Sequence, residues 1–534
     1  MNPILVLGLH KDPWHSTGAA LARSLDGTVD LVMVSEERLD RVKDSRNPPE
    51  LSIGACLGEF GLRSLDEVDL VVLDYIRNPD WRQDHFRTPC RRIEALERLA
   101  AGKVRVMNHH LAHAAAVFYS SGFASAAVLV VDGRGSDDET QSLFVADESG
   151  IRLEATTRTI GIGLLYAAVT QAIGFKLLQE GKTMGLAPFG GSVEPPVFRF
   201  ERRFDGIVTD YSASCVEGSY ELAAPHRPLA SFDDKARAAF EVQQECEAAL
   251  LHLARWARER TGQRHLCLSG GVALNSVANH KILRSGLFDD VFVNPAASDT
   301  GIPLGAALHG LHGILGVPRR HRGIDAFVGP SYGAADIDRA IDGASGYRVV
   351  RAGALAEAVR LLAGNRIVAC HQGRSEMGPR ALGNRSILMS PLKAGNKDIL
   401  NARVKHREAF RPFAPAILEE RTGEFFEIDR PCPYMLFVPL VRPDKRSIIP
   451  AVTHVDGSGR LQTVTRGRNP LLYAIIEQFA ARTGVPVLLN TSFNDNDEPI
   501  VETPADAIRC FLSTDIDALL LGGDRLLVKP AAGG

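Results

Sequence analysis

Apolar residues gather along this chain in short runs bounded by polar turns, and between the runs they recur at helical spacing. The first run, Ile4-Leu5-Val6-Leu7-Gly8-Leu9, is interrupted near its end by glycine and predicts a buried opening strand. A polar turn and a small-residue segment, Thr17-Gly18-Ala19-Ala20-Leu21-Ala22, come next. Further strands are predicted at Val29–Glu37, Leu70–Asp74, Ala126–Asp132 and Leu266–Ser269. Lys235–Arg260 is rich in Ala and Glu, with apolar residues at helical spacing, and predicts a helix. Strands and helices mixed in this way predict an α/β architecture.

Two stretches break the pattern. Residues 188–234 are rich in Pro, Gly, Ser and charge with weak periodicity, and predict an insertion or lid, a common seat of substrate specificity. A composition break between Gly343 and Gly346 precedes a second α/β pattern, with a strand at Tyr347–Val350 and a helix at Leu355–Ala363. A chain of 534 residues exceeds what one core usually organises. The predicted domains are therefore 1–345 and 346–534.

Composition changes this picture little. Hydrophobic residues at 45% and charged residues at 23% are ordinary for a folded globular chain, so disorder is expected only in the tail 530–534. The net charge of -3 gives no general attraction to nucleic acid, although a local basic pocket remains compatible with it. The eight cysteines are scattered without a Cys-x-x-Cys pair, which argues against a disulfide framework or a thiolate metal site. The first residues lack a basic stretch and a long apolar segment, so no leader is predicted. No run approaches the ~20 apolar residues of a spanning helix, so no membrane partner is predicted and the expected location is cytoplasmic.

Chemistry enters with Asn108-His109-His110-Leu111-Ala112-His113, which leads into an alanine-rich, helix-favouring segment. His109 and His113 share a helix face and can grip one ion, but His110 and His113, three apart, can also do so. Two imidazoles need further ligands, and the candidates are Asp132 and Asp299, each after a predicted strand. Three glycine-bearing turns offer backbone N–H groups to phosphate: Asp132-Gly133-Arg134-Gly135, Gly181-Lys182-Thr183-Met184-Gly185, and Ser269-Gly270-Gly271 running on to Asn275. In the second half, 373–386 and 401–415 interleave cations with Gly, Pro and apolar residues. That pattern predicts a pocket for a small polyanion rather than a solvated basic face. Asn490 and Ser492, at the end of another apolar run, offer amide and hydroxyl groups to a nucleotide or to a turn.

In order along the chain, the motifs are His15 with the small-residue run, His109-His110-Leu111-Ala112-His113, Asp132-Gly133-Arg134-Gly135 and 181–187. They continue with Gly270–Asn275, Ser298-Asp299, Gly378-Pro379-Arg380-Ala381-Leu382-Gly383, Arg411-Pro412-Phe413-Ala414-Pro415 and 490–494. Together the motifs resemble the O-carbamoyltransferases of antibiotic and nodulation-factor biosynthesis. The resemblance implies a first domain with the two-lobed actin/sugar-kinase-like fold. It implies a second α/β domain like that of threonylcarbamoyl-adenylate synthases. Carbamoyl phosphate and ATP, the latter with Mg2+, would form carbamoyl-adenylate in the second domain. The first domain would then pass the carbamoyl group to a hydroxyl of a small-molecule natural product.

Carried over by motif, the metal ligands are His109, His113, Asp132 and Asp299, with iron (Fe2+) the usual ion and another divalent transition metal compatible. His15 is the general base, a role suited to an imidazole near its ordinary pKa of ~6.5. Arg380, Lys405, Arg411 and Arg460 bind carbamoyl phosphate. The family commonly has Asp after the first histidine, where this chain has Ser16. Two other functions are weighed against this one. A small-molecule kinase shares the first fold but leaves the second domain unused. A non-catalytic nucleotide-binding or tRNA-modification partner does not explain the array of site residues.

Overall fold

The computed structural model describes residues 2–11, 16–75, 93, 96, 98–192, 194–217, 219, 221–320 and 323–530. Two compact units divide the chain: Met1–Glu36 with Asp44–Asp325, and Glu37–Lys43 with Ala326–Gly534.

The first unit is built on two five-stranded sheets. In one, β1 (Ile4–His10), β2 (Gly18–Leu25), β3 (Thr28–Ser35), β4 (Leu70–Tyr75) and β5 (Val104–Asn108) stand in the order β3-β2-β1-β4-β5. The other contains β6 (Ala126–Val131), β7 (Gln141–Asp147) and β8 (Gly150–Thr157). A separate hairpin of β9 (Arg203–Asp205) and β10 (Val208–Asp210) intervenes before β11 (His265–Ser269) and β12 (Asp290–Val293) join that sheet. Its order, read from β8, is β8-β7-β6-β11-β12. Both sheets pair their first three strands antiparallel and add the last two in parallel. One topology is thus used twice, in the two-lobed arrangement expected from the actin/sugar-kinase resemblance. The repetition lies in strand order, where a search for short sequence periods cannot find it.

The local sequence explains the close packing. All six residues of β6 are buried, which is why its sequence is continuously apolar rather than alternating. The small-residue segment at 17–22 supplies most of β2, with Ala19, Ala20 and Ala22 fully buried. Alanine and glycine also let the helices His109–Ser121 and Ile302–His309 touch through their backbones. A Cβ on Gly305 would lie 1.9 Å from the carbonyl oxygen of Ala112.

The second unit holds one eight-stranded mixed sheet. Its strands are β13 (Arg348–Val350), β14 (Val368–His371), β15 (Arg385–Met389), β16 (Ala414–Leu418), β17 (Gln462–Val464), β18 (Val487–Ser492), β19 (Ala518–Leu521) and β20 (Arg525–Val528), in the order β13-β20-β19-β14-β15-β18-β16-β17. Ala358 and Leu362 of the helix Ala354–Ala363 and Leu472, Ile476 and Phe479 of the helix Pro470–Thr483 share a core with Leu488 and Leu520 of the sheet. The chain is therefore α/β in both units.

The structure differs from the sequence expectation in the boundary between the units. The division falls at 325/326 rather than 345/346. The cause is the helix Ala334–Asp342, whose buried Ile337 and Ile341 face the second unit's helix Pro504–Ser513. The stretch 188–234, expected as an insertion or lid, is tied to the helix that follows it: the Glu241 carboxylate accepts the N–H groups of Val197 (2.8 Å) and Phe198 (2.9 Å). Glu241 belongs to the helix Phe232–Thr261, which replaces the expected Lys235–Arg260 with one extra turn begun by a Ser231 capping box. Among the described residues no helix is long and apolar enough to cross a membrane.

Candidate functional site

The first unit's candidate centre starts from helix geometry. Asn108 ends β5, and its side-chain oxygen accepts the N–H of Leu111 (3.1 Å), so the helix begins at His109. One turn separates His109 from His113, and their Nε2 atoms stand 3.1 Å apart. Asp132 follows β6, and Asp299 opens the helical turn 299–301. Asp132 Oδ2 lies 3.4 Å from both Nε2 atoms, and Asp299 Oδ1 lies 3.5 Å and 3.4 Å from those of His109 and His113. His109, His113 and Asp132 are buried, and the Asp299 side chain is 13% exposed. The structure thus brings the four expected ligands together and answers the ambiguity at the motif. His110 turns away, with its Nδ1 2.7 Å from Ser142 Oγ.

The distances fit a shared ion better than hydrogen bonds. Charge-assisted hydrogen bonds run at about 2.7–2.9 Å, whereas tetrahedral bonds of about 2.1 Å to one ion give edges of about 3.4 Å. The proton inventory agrees. Asp74 accepts the His109 Nδ1–H at 2.8 Å, which leaves the Nε2 lone pair bare. Ser269 Oγ donates to the Ala297 carbonyl (3.4 Å) and so accepts from His113 Nδ1 (3.3 Å), leaving that Nε2 bare as well. As neutral imidazoles, both rings would turn Nε2 lone pairs toward the same point as the two carboxylates, a donor set suited to a divalent transition metal.

Electrostatics point the same way. Burial lowers the pKa of His109, but the Asp299, Asp132 and Asp74 carboxylates outweigh it and raise the value well above the ordinary histidine range. Burial and Asp299 push Asp132 up, yet its hydrogen bonds to His109 and His113 hold it below the usual carboxylate range. The centre favours a cation.

The glycine loops divide. Gly133 faces open space. A Cβ at Gly135 would lie 2.7 Å from the His110 ring, so close packing requires the glycine there. The Gly270 N–H donates to the Ala297 carbonyl at 2.9 Å, and the Gly271 N–H donates to Asp132 Oδ1 of the candidate centre at 2.8 Å. Asn275, expected at a nucleotide, is instead an N-cap: it accepts the Ala278 N–H (3.1 Å) and donates to Gln243 (2.9 Å). Lys182 was expected on a phosphate-cradling turn, but the segment is helical (Glu180–Leu186) because Thr183 is buried on Thr170, and Lys182 lies over the Phe175 ring. His15 lies outside the described residues.

The second unit gathers guanidinium groups. Arg380, Arg407, Arg411 and Arg460 are each half-buried, and the Nε atoms of Arg380, Arg407 and Arg460 are enclosed without a partner. Burial and Arg411 push Arg380 down to about 10, and burial with Arg411 and Arg380 pushes Arg407 down to about 9. Burial and the other three lower Arg460 well below its ordinary value. Glu408 lies 3.7 Å from Arg411. The Arg380 loop is wound on the Glu376 carboxylate, which accepts the N–H groups of Leu382, Asn384 and Arg385.

Three expected anion ligands have other partners. Lys405 Nζ gives its three protons to the end of β18, where Ser492 O, Asn494 O and Asn494 Oδ1 lie at 2.7–2.9 Å. Ser492 Oγ donates to Asn494 Oδ1 (2.7 Å), and Asn490 Nδ2 bonds Ala381 O (3.1 Å) and Gln462 Oε1 (2.7 Å). Asn490 and Gln462 thereby tie the Arg380 loop to the strand that follows Arg460. Sequence reasoning missed Asp74, Ser269, Glu376 and Gln462. Only Asp74, an acid at a predicted strand end, carried a signal.

These features define a two-unit α/β protein with a candidate metal centre in one unit and a candidate anion site in the other. Family models for the carbamoyltransferase N-terminus and C-terminus match residues 80–308 and 359–529. Nodulation protein NolNO of Sinorhizobium fredii is 38% identical over 546 residues, covering 95% of this chain and 78% of that protein. An uncharacterized Synechocystis protein is 34% identical, covering 95% and 94%. The crystal structure of T. kodakarensis HypF aligns with a TM-score of 0.35 at 14% identity, over 60% of this chain and 50% of that one, a likeness too slight to bear on function. The chain belongs to the carbamoyltransferase family, as the resemblance of its motifs implied.

Proposed function

We propose that the protein is an ATP-dependent O-carbamoyltransferase acting on a hydroxyl of a small-molecule natural product. In the second unit, carbamoyl phosphate loses its phosphoryl group to water, and the resulting carbamate oxygen attacks the α-phosphate of Mg2+-bound ATP. Carbamoyl-adenylate, phosphate and pyrophosphate result. In the first unit the acceptor hydroxyl attacks the carbamoyl carbon, AMP leaves, and His15 takes the hydroxyl proton. His109, His113, Asp132 and Asp299 hold a divalent transition metal, with iron the first choice. When bound there, it supplies positive charge to an oxygen that becomes negative during transfer.

The observation that carries this reading is the set of four guanidinium groups, three with an unpartnered enclosed Nε, beside the Glu408 carboxylate. Confining like charges is unfavourable until a polyanion joins them, and carbamoyl phosphate with a triphosphate answers that excess. Arg380, Arg411 and Arg460 contact the anions, with Lys405, Asn490 and Ser492 shaping the strand and loop behind them. The test is to incubate the protein with ATP, Mg2+, labelled carbamoyl phosphate and a panel of hydroxylated natural products. The expected outcome is AMP, pyrophosphate and an acceptor heavier by one carbamoyl unit. ADP with a phosphorylated acceptor would establish a kinase instead. His109→Ala and His15→Ala are expected to lose transfer and keep pyrophosphate release, whereas Arg411→Ala loses both.

A further inference from the structure

We propose that Asp74 is the positioning residue of the metal centre and sets its affinity, an inference that rests on the metal reading above. Asp74, next to last in β4, has both carboxylate oxygens engaged: Oδ2 lies 2.8 Å from His109 Nδ1 and Oδ1 lies 2.9 Å from His10 Nδ1. His10, Asp74 and His109 form a compact buried group that resembles a second metal cluster. Their separations distinguish the two groups. The pairs through Asp74 are at 2.8–2.9 Å, while the four imidazole–carboxylate pairs of the centre stand 3.4–3.5 Å apart.

An ionised carboxylate only accepts, so both imidazoles must place their proton on Nδ1. For His109 this fixes the ring's tautomer and rotation together, with Nε2 bare and aimed at His113, Asp132 and Asp299. His10 occupies the other oxygen and stops the carboxylate from rotating. Asn at this position has one acceptor and one donor group and cannot accept from two imidazoles. Asp74→Asn therefore removes the negative charge from His109 Nδ1, and it keeps that ring's tautomer only if the amide oxygen faces His109 and His10 switches its own. Outer carboxylates on metal-bound histidines are typically worth ~10–100-fold in metal affinity.

The test uses the full chain and Co2+ as probe, read by visible absorption and by equilibrium dialysis. Asp74→Asn is expected to bind Co2+ 10–100-fold more weakly than wild type, and His10→Asn, which leaves Asp74 to hold His109, within about threefold of wild type. Wild-type affinity in a folded Asp74→Asn protein overturns the proposal, because a purely structural role moves only the urea midpoint. No Co2+ uptake by wild type removes the metal reading itself, and the role of Asp74 with it. A variant-independent measurement covers misfolding: 15N-histidine spectra of the Zn2+-loaded protein are expected to show His109 protonated at Nδ1, and protonation at Nε2 overturns the proposal.

Discussion

Gly270 has φ +88° and ψ 162°, backbone that is essentially reserved for glycine, and an added Cβ would stand 2.2 Å from the carbonyl oxygen of Val131. Strain and clash act together, so Gly270→Ala is expected to lose about 3 kcal/mol in urea denaturation. It also displaces the Gly271 N–H from Asp132, so Co2+ affinity is expected to fall in parallel. An alanine variant with wild-type stability would mean that this turn can rearrange. The glycines stood out in the sequence because a strand ran into them, but their target did not. Gly271 N–H meets Asp132 across 139 residues, a contact that no local pattern encodes. His109, His113, Asp132 and Asp299 were candidates because each is of ligand type near a predicted element end, but spacing left His110 open, and the family resemblance made the choice. Asp74 had the same signal but no visible partner, since its role depends on which ring nitrogen faces it.

At the scale of elements, continuous apolar runs gave strands within a residue or two, as for β4, β6 and β11. Elements were left unassigned or misread where residue size, not polarity, decided the outcome. Thr17–Ala22 forms most of β2 because alanines fit beneath close-packed neighbours, and 180–186 is helical despite its two glycines. The helix Ala334–Asp342 was assigned to the wrong side of the boundary because its attachment is tertiary. Arg525 of β20 donates to both oxygens of Asp338 at 2.7 Å and 2.9 Å, and Arg351 adds a contact at 3.1 Å.

These arginines, Arg525 foremost, lower the Asp338 pKa from 3.8 to about 2. A carboxylate lowered on folding stabilises fully above its unfolded value and loses that contribution as pH falls through the folded value. Asp338→Asn is therefore expected to be less stable than wild type at pH 7, with the gap closing between pH 3.8 and about 2. Urea midpoints across that range check the sign. The effect is small because Asp338 is solvated. A gap that persists at pH 2 would place the contribution in packing rather than charge.

At the scale of the whole molecule, the net charge of -3 concealed a cluster of four arginines with Glu408 beside them. Summed charge averages over both units, whereas binding responds to charge within a Debye length of about 8–10 Å. Motif spacing exposed Arg380, Arg407 and Arg411 because the cations there alternate with Gly, Pro and apolar residues, whereas Arg460 came only from the family resemblance. What spacing left out was the division of labour: Lys405 looks like an anion ligand in sequence and is an anchor for β18 in the fold. The cluster makes function and stability oppose each other. Arg460 sits among three like charges with its Nε enclosed and unpaired, so the ligand-free protein bears the cost. Exchanging a buried, unfavourably placed charge for a similar apolar volume is often neutral or stabilising by ~1–4 kcal/mol. Arg460→Met is therefore expected to match or exceed wild type in thermal stability without ligand. Pyrophosphate is expected to raise the wild-type melting temperature through binding linkage and to leave that of Arg460→Met unchanged. A variant that melts well below wild type yet still responds to pyrophosphate would make Arg460 a structural residue and move the anion site to Arg380, Arg407 and Arg411.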